Sequence, residues 1–303
     1  MKYCLGIDTS NYTTSVALCD MNGKIEVNEK LILDVSEGKR GLRQSDAVFS
    51  HIKNLPAVFE KIGKRDIAAV GYSAYPRDVE GSYMPCFLAG KNAACALSGI
   101  LGIPLYAFSH QRGHIRAALY SADAQHLLGG EYIAFHISGG TTEVLLVKNG
   151  EISIIGGTKD ISCGQAVDRV GVMLGLKFPC GAELERLITK EDDSKPKICV
   201  DGYYANLSGL ENIGAKMINE GAGKNEVAAF TINFIKRTLE AITDNIKCDH
   251  PTLPLLFSGG VMSNGIIREA FTNKYGAYFA EPAFSSDNAA GIALLTYDKE
   301  RLK

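Results

Sequence analysis

Hydrophobic residues along this chain form short runs typical of strands and longer periodic segments typical of helices. Near the N-terminus, runs rich in Ile, Leu, Val and Tyr occupy 3–9, 14–19 and 24–33, with turn residues between them. This pattern predicts three antiparallel strands. The Asn22-Gly23 pair supports that arrangement, because Asn-Gly is a frequent hairpin turn whose residues tolerate a positive φ.

The remaining pattern alternates helices and strands, and Ser45 is the expected N-cap of the first helix. Up to residue 127 we predict helices 46–62, 86–101 and 110–127 and strands 67–74 and 104–108. After residue 160 we predict helices 162–174, 181–188, 208–220, 224–247, 262–273 and 287–299, with strands 253–258 and 277–280.

The opening pattern returns at Tyr132, where IAFHISGGTTEVLLVKNGEI aligns with the earlier LGIDTSNYTTSVALCDMNGKI. Ser10 aligns with Ser138, and the polar tip and the Asn-Gly turn both match at an offset of 127 to 128 residues. We interpret this match as an internal duplication. Two halves of this kind, each a three-stranded meander with helices, would face one another across a cleft.

Composition describes a folded chain with nearly balanced charge. Of 303 residues, 46% are hydrophobic and 22% charged, and 32 Lys and Arg oppose 34 Asp and Glu. This balance argues against a surface that grips nucleic acid unaided. No apolar run approaches the length of a membrane span, and the apolar stretch before Asp8 is too short for a signal peptide. The eight cysteines include no C-x-x-C pair, so we expect reduced thiols and a cytoplasmic protein without membrane contact.

Two glycine-rich turns suit a nucleotide. The run Ser138-Gly139-Gly140-Thr141 forms the second hairpin tip, and Gly259-Gly260 joins an apolar strand to a helix. Bare backbone N–H groups at such turns approach phosphate oxygens closely. The alternative for the first run is a tight hairpin that simply requires two glycines. Two such turns in a duplicated α/β chain favour an ATP or ADP site.

The strongest chemical signal is the segment His110-Gln111-Arg112-Gly113-His114. Histidines at i and i+4 on a helix share one face, so both imidazoles can reach one metal ion. Asp287 is a candidate third ligand, although the sequence does not show that it lies near them. The alternatives are a pair of surface histidines and, for Asp287, the N-cap of the last helix.

Several segments in order resemble the threonylcarbamoyltransferase family, the tRNA-modifying enzymes once called O-sialoglycoprotein endopeptidases. GIDTSNYTTSVAL resembles the family's first strand pair, HQRGH its metal-binding H-x-E-G-H motif, and HISGGTTEV its phosphate hairpin. GQAVDRVGVMLGLKFPCGAELE resembles its G-E-A-F-D-K…Y-P-G-G-P segment, and SGGVMSN and SSDNAA match its last two motifs. NLSGL at 206–210 and SHIKNLP at 50–56 also have counterparts, so the resemblance runs from residue 5 to about 295.

The resemblance implies an α/β fold of the actin, Hsp70 and sugar-kinase type. Its two duplicated, ribonuclease-H-like lobes would be 1–108 plus 287–303 and 109–286, with a nucleotide cleft between them. It further implies a transfer in which an adenosine of tRNA attacks threonylcarbamoyl-adenylate and AMP leaves. A divalent metal, Fe or Zn, would act as a Lewis acid on the donor. Family members work with partner proteins that supply the adenylate.

Apart from Thr141, which stands where the family has a histidine, site residues are assigned where this chain matches the family's motifs. The metal ligands would be His110, His114 and Asp287, and the catalytic residues would be Asp8 and Ser10. The nucleotide would contact Ser138, Gly139, Gly140, Thr141, Asp168, Gly181, Glu185, Gly259, Gly260 and Asn264.

Three departures from the family fall around the acceptor. The family's opening T-S-C-D-E-T carries two acids where this chain has Tyr12 and Thr13, and its hairpin histidine is replaced by Thr141. Arg112 replaces the acid of H-x-E-G-H. Three functions therefore remain open: a tRNA threonylcarbamoyltransferase, a carbamoyl-type transferase with another acceptor, and a nucleotide-binding partner subunit without turnover. Intact metal ligands count against the last.

Overall fold

The computed structural model describes residues 1–10, 12–33, 42–285 and 289–303. The chain divides into two compact units, one formed by Met1–Ser121 with Ser286–Lys303 and the other by Ala122–Ser285. Elements are numbered below in chain order across both units. Among the described residues, no helix is both long enough and apolar enough to cross a membrane.

The first unit is built on a five-stranded sheet in the order β3-β2-β1-β4-β5. β1 pairs antiparallel with β2 and parallel with β4, and β4 pairs parallel with β5. Its elements are β1 (Lys2–Ser10), β2 (Thr13–Asp20), β3 (Ile25–Ile32), α1 (Gln44–Ile62), β4 (Asp66–Tyr75), α2 (Phe87–Leu101), β5 (Leu105–Ser109), α3 (His110–Ser121) and α10 (Ala290–Glu300).

Successive residues of a strand point to opposite faces of the sheet. Helices pack against both faces of this sheet. Leu5 and Ile7 pack with α1 and α2 in one apolar cluster. Gly6 lies on the other face, against α10, where a Cβ would come within 2.4 Å of the Ala293 nitrogen. Glycine there permits direct contact between a strand and the backbone of the last helix.

The second unit contains a seven-stranded sheet in the order β12-β11-β6-β7-β8-β10-β9. Its strands are β6 (Glu131–Ile137), β7 (Thr142–Lys148), β8 (Glu151–Thr158), β9 (Cys199–Asp201), β10 (Tyr204–Asn206), β11 (Leu255–Ser258) and β12 (Tyr278–Phe279). Its helices are α4 (Cys163–Met173), α5 (Gly181–Arg186), α6 (Gly209–Asn219), α7 (Lys224–Asp249), α8 (Gly265–Tyr275) and α9 (Pro282–Ser285). The core lies between this sheet and the helices, where Phe257 stacks on Phe135 at 4.4 Å between ring centroids.

The two sheets repeat one topology. In each, an antiparallel meander (β1–β3 or β6–β8) is extended by two parallel strands beside its first strand, namely β4 and β5 or β11 and β12. The same strand order in both halves supports the duplication that the sequence predicts.

Several features differ from the sequence-based expectations, among them the helix predicted over 110–127, which ends at Ser121 and is followed by a separate 3-10 turn at Gln125–Leu127. The predicted lobe boundary near residue 108 falls instead after Ser121, because α3 packs against α10, β4 and β5 of the first unit. Arg43, not Ser45, occupies the N-cap of α1, and it makes no side-chain capping bond. The short strands β9 and β10 had no distinct sequence signal and extend the second sheet beside β8.

Candidate functional site

The two histidines of the first unit come together on one face of α3. The Nε2 atoms of His110 and His114 lie 2.8 Å apart, and the two rings meet edge to face. Both side chains are buried, at 8% and 4% exposure. Spacing of i and i+4 on a helix places side chains one above the other, which explains why the two nitrogens converge.

Asp8 holds the first of these imidazoles from the end of β1. Its Oδ2 lies 2.8 Å from His110 Nδ1, and its Oδ1 accepts the backbone N–H of Ser10 at 3.0 Å. A carboxylate that accepts from Nδ1 fixes the proton there and leaves Nε2 with its lone pair. The sequence suggested Asp8 as a residue near the chemistry but did not predict this contact. Ser10 itself is fully buried beside it.

The start of the last helix reaches the same part of α3. Glycine at 291 is required there, because a Cβ would lie 1.8 Å from the carbonyl oxygen of Gly113. Gly113 sits between the two histidines in sequence, and Ile292 packs beside it. The predicted third ligand, Asp287, lies outside the described residues. Within the described residues, no three His, Cys, Asp or Glu side chains form a metal-binding group.

The predicted phosphate hairpin of the second unit is a four-residue turn between β6 and β7. The Ser138 N–H donates to the Thr141 carbonyl at 2.8 Å, and the Thr141 N–H donates to the Ser138 hydroxyl at 3.2 Å. Gly139 and Gly140 are exposed, neither has a positive φ, and a Cβ on either would meet no atom within 4 Å. The turn therefore does not need these glycines for its own conformation, and bare backbone remains open to a ligand.

The second glycine turn leaves the neighbouring strand β11. Gly259 has φ of +97°, and a Cβ on it would lie 2.2 Å from the Ile137 carbonyl oxygen, so this glycine is structural. Gly260 is open on the side where its Cβ would stand. Asn264 caps α8 by accepting the Ile267 N–H at 3.1 Å.

The remaining predicted contacts belong to α4 and α5. Asp168 accepts the Cys180 N–H at 2.7 Å, which ties α4 to the start of α5, beside Gly181. Burial raises the pKa of Asp168 above its ordinary value, although the Cys180 N–H opposes part of that rise. Glu185 accepts the Gly265 N–H at 2.8 Å, so its carboxylate stabilises the N-terminus of α8.

These second-unit residues collect at one edge of the sheet. β6 and β11 are adjacent and parallel, so the turns after Ile137 and Ser258 leave from the same edge. β8 runs antiparallel to β7, and its chain leads at this edge into α4. The carboxyl ends of parallel strands are where α/β sheets commonly bind ligands. The structure therefore places both glycine turns at this edge, with Asn264 following the second turn and Glu185 bonded to the start of α8.

A buried polar row at this edge had no sequence prediction. His136 on β6 lies opposite Glu143 on β7 and beside Ser258 on β11. All three are at most 8% exposed. Strand alternation was the available signal, since each residue lies next to a core residue that points to the other face.

Cysteine nucleophiles are not favoured at this site. Burial raises the pKa of Cys163 to about 12 and that of Cys180 to about 11. Thiols with such values are protonated near neutral pH and are poor nucleophiles.

Solved structures place this fold in the actin, Hsp70 and sugar-kinase class. The chain aligns over 99% of its length with component A of (R)-2-hydroxyglutaryl-CoA dehydratase from Acidaminococcus fermentans, at a TM-score of 0.61 and 17% identity, covering 100% of that chain. It aligns over its full length with 56% of full-length HypF in a phosphate- and nucleotide-bound form, at a TM-score of 0.62 and 13% identity. At these identities the likeness describes the fold alone.

The sequence comparisons assign the family. A family model described as tRNA N6-adenosine threonylcarbamoyltransferase matches residues 45–294. Relatives with that name share 31% identity in Thermosipho africanus, over 97% of this chain and 93% of the relative, and 30% in Thermus thermophilus, over 99% and 93%. The chain belongs to this family of transferases, as the motif resemblance predicted.

Proposed function

We propose that this chain transfers a threonylcarbamoyl group from threonylcarbamoyl-adenylate to an adenosine of tRNA, with a divalent metal in the first unit. Family membership supports the tRNA acceptor, because the relatives carry the name tRNA N6-adenosine threonylcarbamoyltransferase. The adenylate would come from partner proteins. The observation that carries the proposal is the arrangement of Asp8, His110 and His114.

This arrangement fits a metal ion. Two Nε2 atoms 2.8 Å apart on buried imidazoles can both direct lone pairs at one ion of Fe or Zn. A ligating histidine commonly donates its other ring N–H to a carboxylate, as His110 does to Asp8. When bound, the metal would supply Lewis-acid polarisation of the donor.

Asp287 completes this set in the proposal. Gly291, four residues further along the chain, contacts Gly113 between the two histidines. The start of α10 therefore approaches the part of α3 that carries both imidazoles. Two imidazoles and one carboxylate leave positions open for substrate, which suits catalysis better than a closed structural site.

In the second unit, the edge formed by the two glycine turns would hold the adenylate. The exposed Gly139–Gly140 backbone offers N–H groups to the phosphoryl oxygens, and Asp168 and Glu185 would stand on the nucleoside side. In the reaction, the N6 amine of the acceptor forms a bond to the carbamoyl carbon. The bond from that carbon to the phosphate oxygen breaks, AMP leaves with the electron pair, and the amine loses one proton.

The direct test has two parts. Mass spectrometry of tRNA nucleosides from a strain without this gene should show loss of threonylcarbamoyladenosine, with recovery when the gene is returned. A reconstitution with purified chain, tRNA and supplied adenylate should then show only weak transfer and AMP release by the unaltered chain, because Tyr12 and Thr13 replace the family's two acids, and stronger transfer once acids are restored at those positions. Normal tRNA modification in the deletion strain would contradict the proposal if no second family gene is present.

A second candidate is a carbamoyl-type transfer to another acceptor. The first hairpin favours it, because Tyr12, at 42% exposure, and buried Thr13 stand where the family has acids. Asp8, the nearest described acid, already contacts His110 and the Ser10 N–H. Deletion-strain tRNA with unchanged nucleosides, together with AMP release by the chain on another amine, would support this alternative.

A further inference from the structure

The first turn of α4 is bonded to the second-unit hairpin. The Ser162 hydroxyl donates to the Gly139 carbonyl oxygen at 2.7 Å, and the Cys163 N–H donates to Thr142 Oγ1 at 2.8 Å. Ser162 is also the N-cap of α4, since its Oγ accepts the Gln165 N–H at 3.1 Å. One hydroxyl therefore serves both the helix and the hairpin.

The contact is close enough to exclude any side chain at Gly164. A Cβ there would lie 2.4 Å from the Gly139 Cα and 2.6 Å from the Ser138 carbonyl oxygen. The hairpin backbone thus rests directly on the N-terminal turn of α4.

The Ser162 bond determines the direction of one hairpin donor. In a trans peptide the C=O and the following N–H point in opposite directions. With the Gly139 oxygen directed at Ser162, the Gly140 N–H must point away from α4. Within the described part of the chain, neither the Gly139 N–H nor the Gly140 N–H donates to another group. Adjacent backbone N–H groups without an acceptor at an exposed turn are available to bind an anion.

We propose that Ser162 is a positioning residue that directs the Gly140 N–H toward the phosphoryl group of the bound adenylate. The inference rests on the proposed function, and Ser162 is not among the residues that the family motifs assign. If Ser162 only capped α4, its replacement would lower stability and would affect ligands with and without phosphate alike. A positioning role instead predicts weaker binding only for ligands that carry phosphate.

The test measures binding of AMP and of adenosine to the full chain by calorimetry. Ser162→Ala should weaken AMP binding on the order of tenfold, as expected when a donor to a charged oxygen loses its orientation, and leave adenosine binding nearly unchanged. Ser162→Thr keeps the hydroxyl and should restore AMP binding to within about twofold of the parent, because the same bond can form.

Thr243→Ala is the matched control. Thr243 is buried on α7, and its hydroxyl donates to the Leu239 carbonyl at 2.8 Å, so its loss also removes a buried hydroxyl bond in the second unit. This variant should lose stability without changing the ratio of AMP to adenosine affinity. If Ser162→Ala weakens AMP binding and adenosine binding equally, or changes neither affinity, the positioning role alone is overturned. A parent chain that binds neither ligand would overturn the nucleotide site of the proposed function and this inference with it.

Discussion

The two hairpins hold equivalent places in their sheets but differ in length and in chemistry, since two residues separate β1 from β2 and four separate β6 from β7. The first, between β1 and β2, follows the buried carboxylate of Asp8, which contacts an imidazole of α3. The second, between β6 and β7, follows the buried His136 and exposes only Gly139 and Gly140 at its tip. One copy therefore supplies side chains, and the other supplies bare backbone donors.

This difference shows how one supersecondary unit can be adapted to two kinds of ligand. Imidazoles and carboxylates are ligands for metals, whereas adjacent backbone N–H groups suit phosphate. Neither hairpin could take the other's role without new residues, because Asp8 already contacts His110 and the second tip has no side chains at its two glycines. Changes at each hairpin should consequently affect one ligand and leave the other.

The largest expected effect is loss of metal in His114→Ala. Removing one of two converging imidazoles from the proposed three-ligand site should reduce the Fe or Zn content from about one ion per chain to near zero. Elemental analysis of purified protein measures this. His126→Ala is the control, since His126 pairs with Tyr278 in the second unit, outside the proposed ligand set. Full occupancy in His114→Ala would rule out the proposed ligand set, and ADP binding should remain in both variants.

The next effect concerns the acids absent from the first hairpin. General acid–base groups contribute roughly 10²–10⁴-fold to proton transfer, so we expect weak or absent tRNA modification by this chain alone. Tyr12→Asp with Thr13→Glu should raise transfer by about 10²-fold if the acids carry that chemistry. Transfer to tRNA with adenylate supplied is the measurement.

Tyr12→Asp alone is the safer variant, because Tyr12 is 42% exposed whereas Thr13 is buried at 8%. Robust modification by the unaltered chain would show that the tip acids are dispensable. No gain from either variant, with folding intact by circular dichroism, would favour a different acceptor.

The third prediction concerns Asp8, which is expected to orient a metal ligand, His110, without binding the metal itself. Asp8→Asn should lower metal affinity by about 10–100-fold, because loss of a carboxylate behind a ligating histidine has effects of that size. Metal titration with a competing chelator measures the change. ADP affinity should not change. Asp20→Asn is the control, since Asp20 is a buried acid of the same sheet whose contacts lie in the 20–24 turn. Unaltered metal affinity in Asp8→Asn would contradict the orienting role.

How far the sequence predicts this molecule depends on the range of the interactions involved. Strand and helix positions follow from local periodicity, and the duplication follows from a repeated polar tip. The contact of Asp8 with His110 joins residues 102 positions apart, and only the pairing of β1 with β4 and of β4 with β5 brings them together. Ser162 had a local signal as an N-cap, but its bond to Gly139 depends on how α4 packs against the hairpin.

A fourth, smaller effect should appear at the second hairpin. Gly140→Val and Gly260→Val should each weaken ADP binding by at least about tenfold, because methyl groups would occupy space beside the proposed phosphate contacts. Stability should change little, since a Cβ at either position meets no protein atom within 4 Å. Gly209→Val is the control, at an equally open glycine of the second unit. If Gly260→Val binds ADP with the parent's affinity, the nucleotide does not bind beside Gly260. The metal content of Gly140→Val, Gly260→Val and Gly209→Val should equal that of the parent.

The smallest expected effect is a pH-dependent gain in stability on replacing Asp168. Because burial raises the pKa of this carboxyl, its ionised form is disfavoured in the folded state. That cost is present when the group is ionised and disappears as the pH falls through its folded-state pKa. Near neutral pH, Asp168→Asn should therefore have a free energy of unfolding above that of the parent by less than about 1 kcal/mol after solvent screening. Urea denaturation measures this difference, which should vanish in acid.

Asp192→Asn is the opposite control, since hydrogen bonds from Ser194 and Asn233 lower the pKa of Asp192 despite its partial burial. That variant should lose stability near neutral pH, and the loss should shrink as the parent's Asp192 protonates. If the parent is more stable than Asp168→Asn at neutral pH, the pKa of Asp168 is not raised in the folded state. If Asp168→Asn is more stable than the parent but binds ADP more weakly, Asp168 contributes to ligand binding and lowers the stability of the fold.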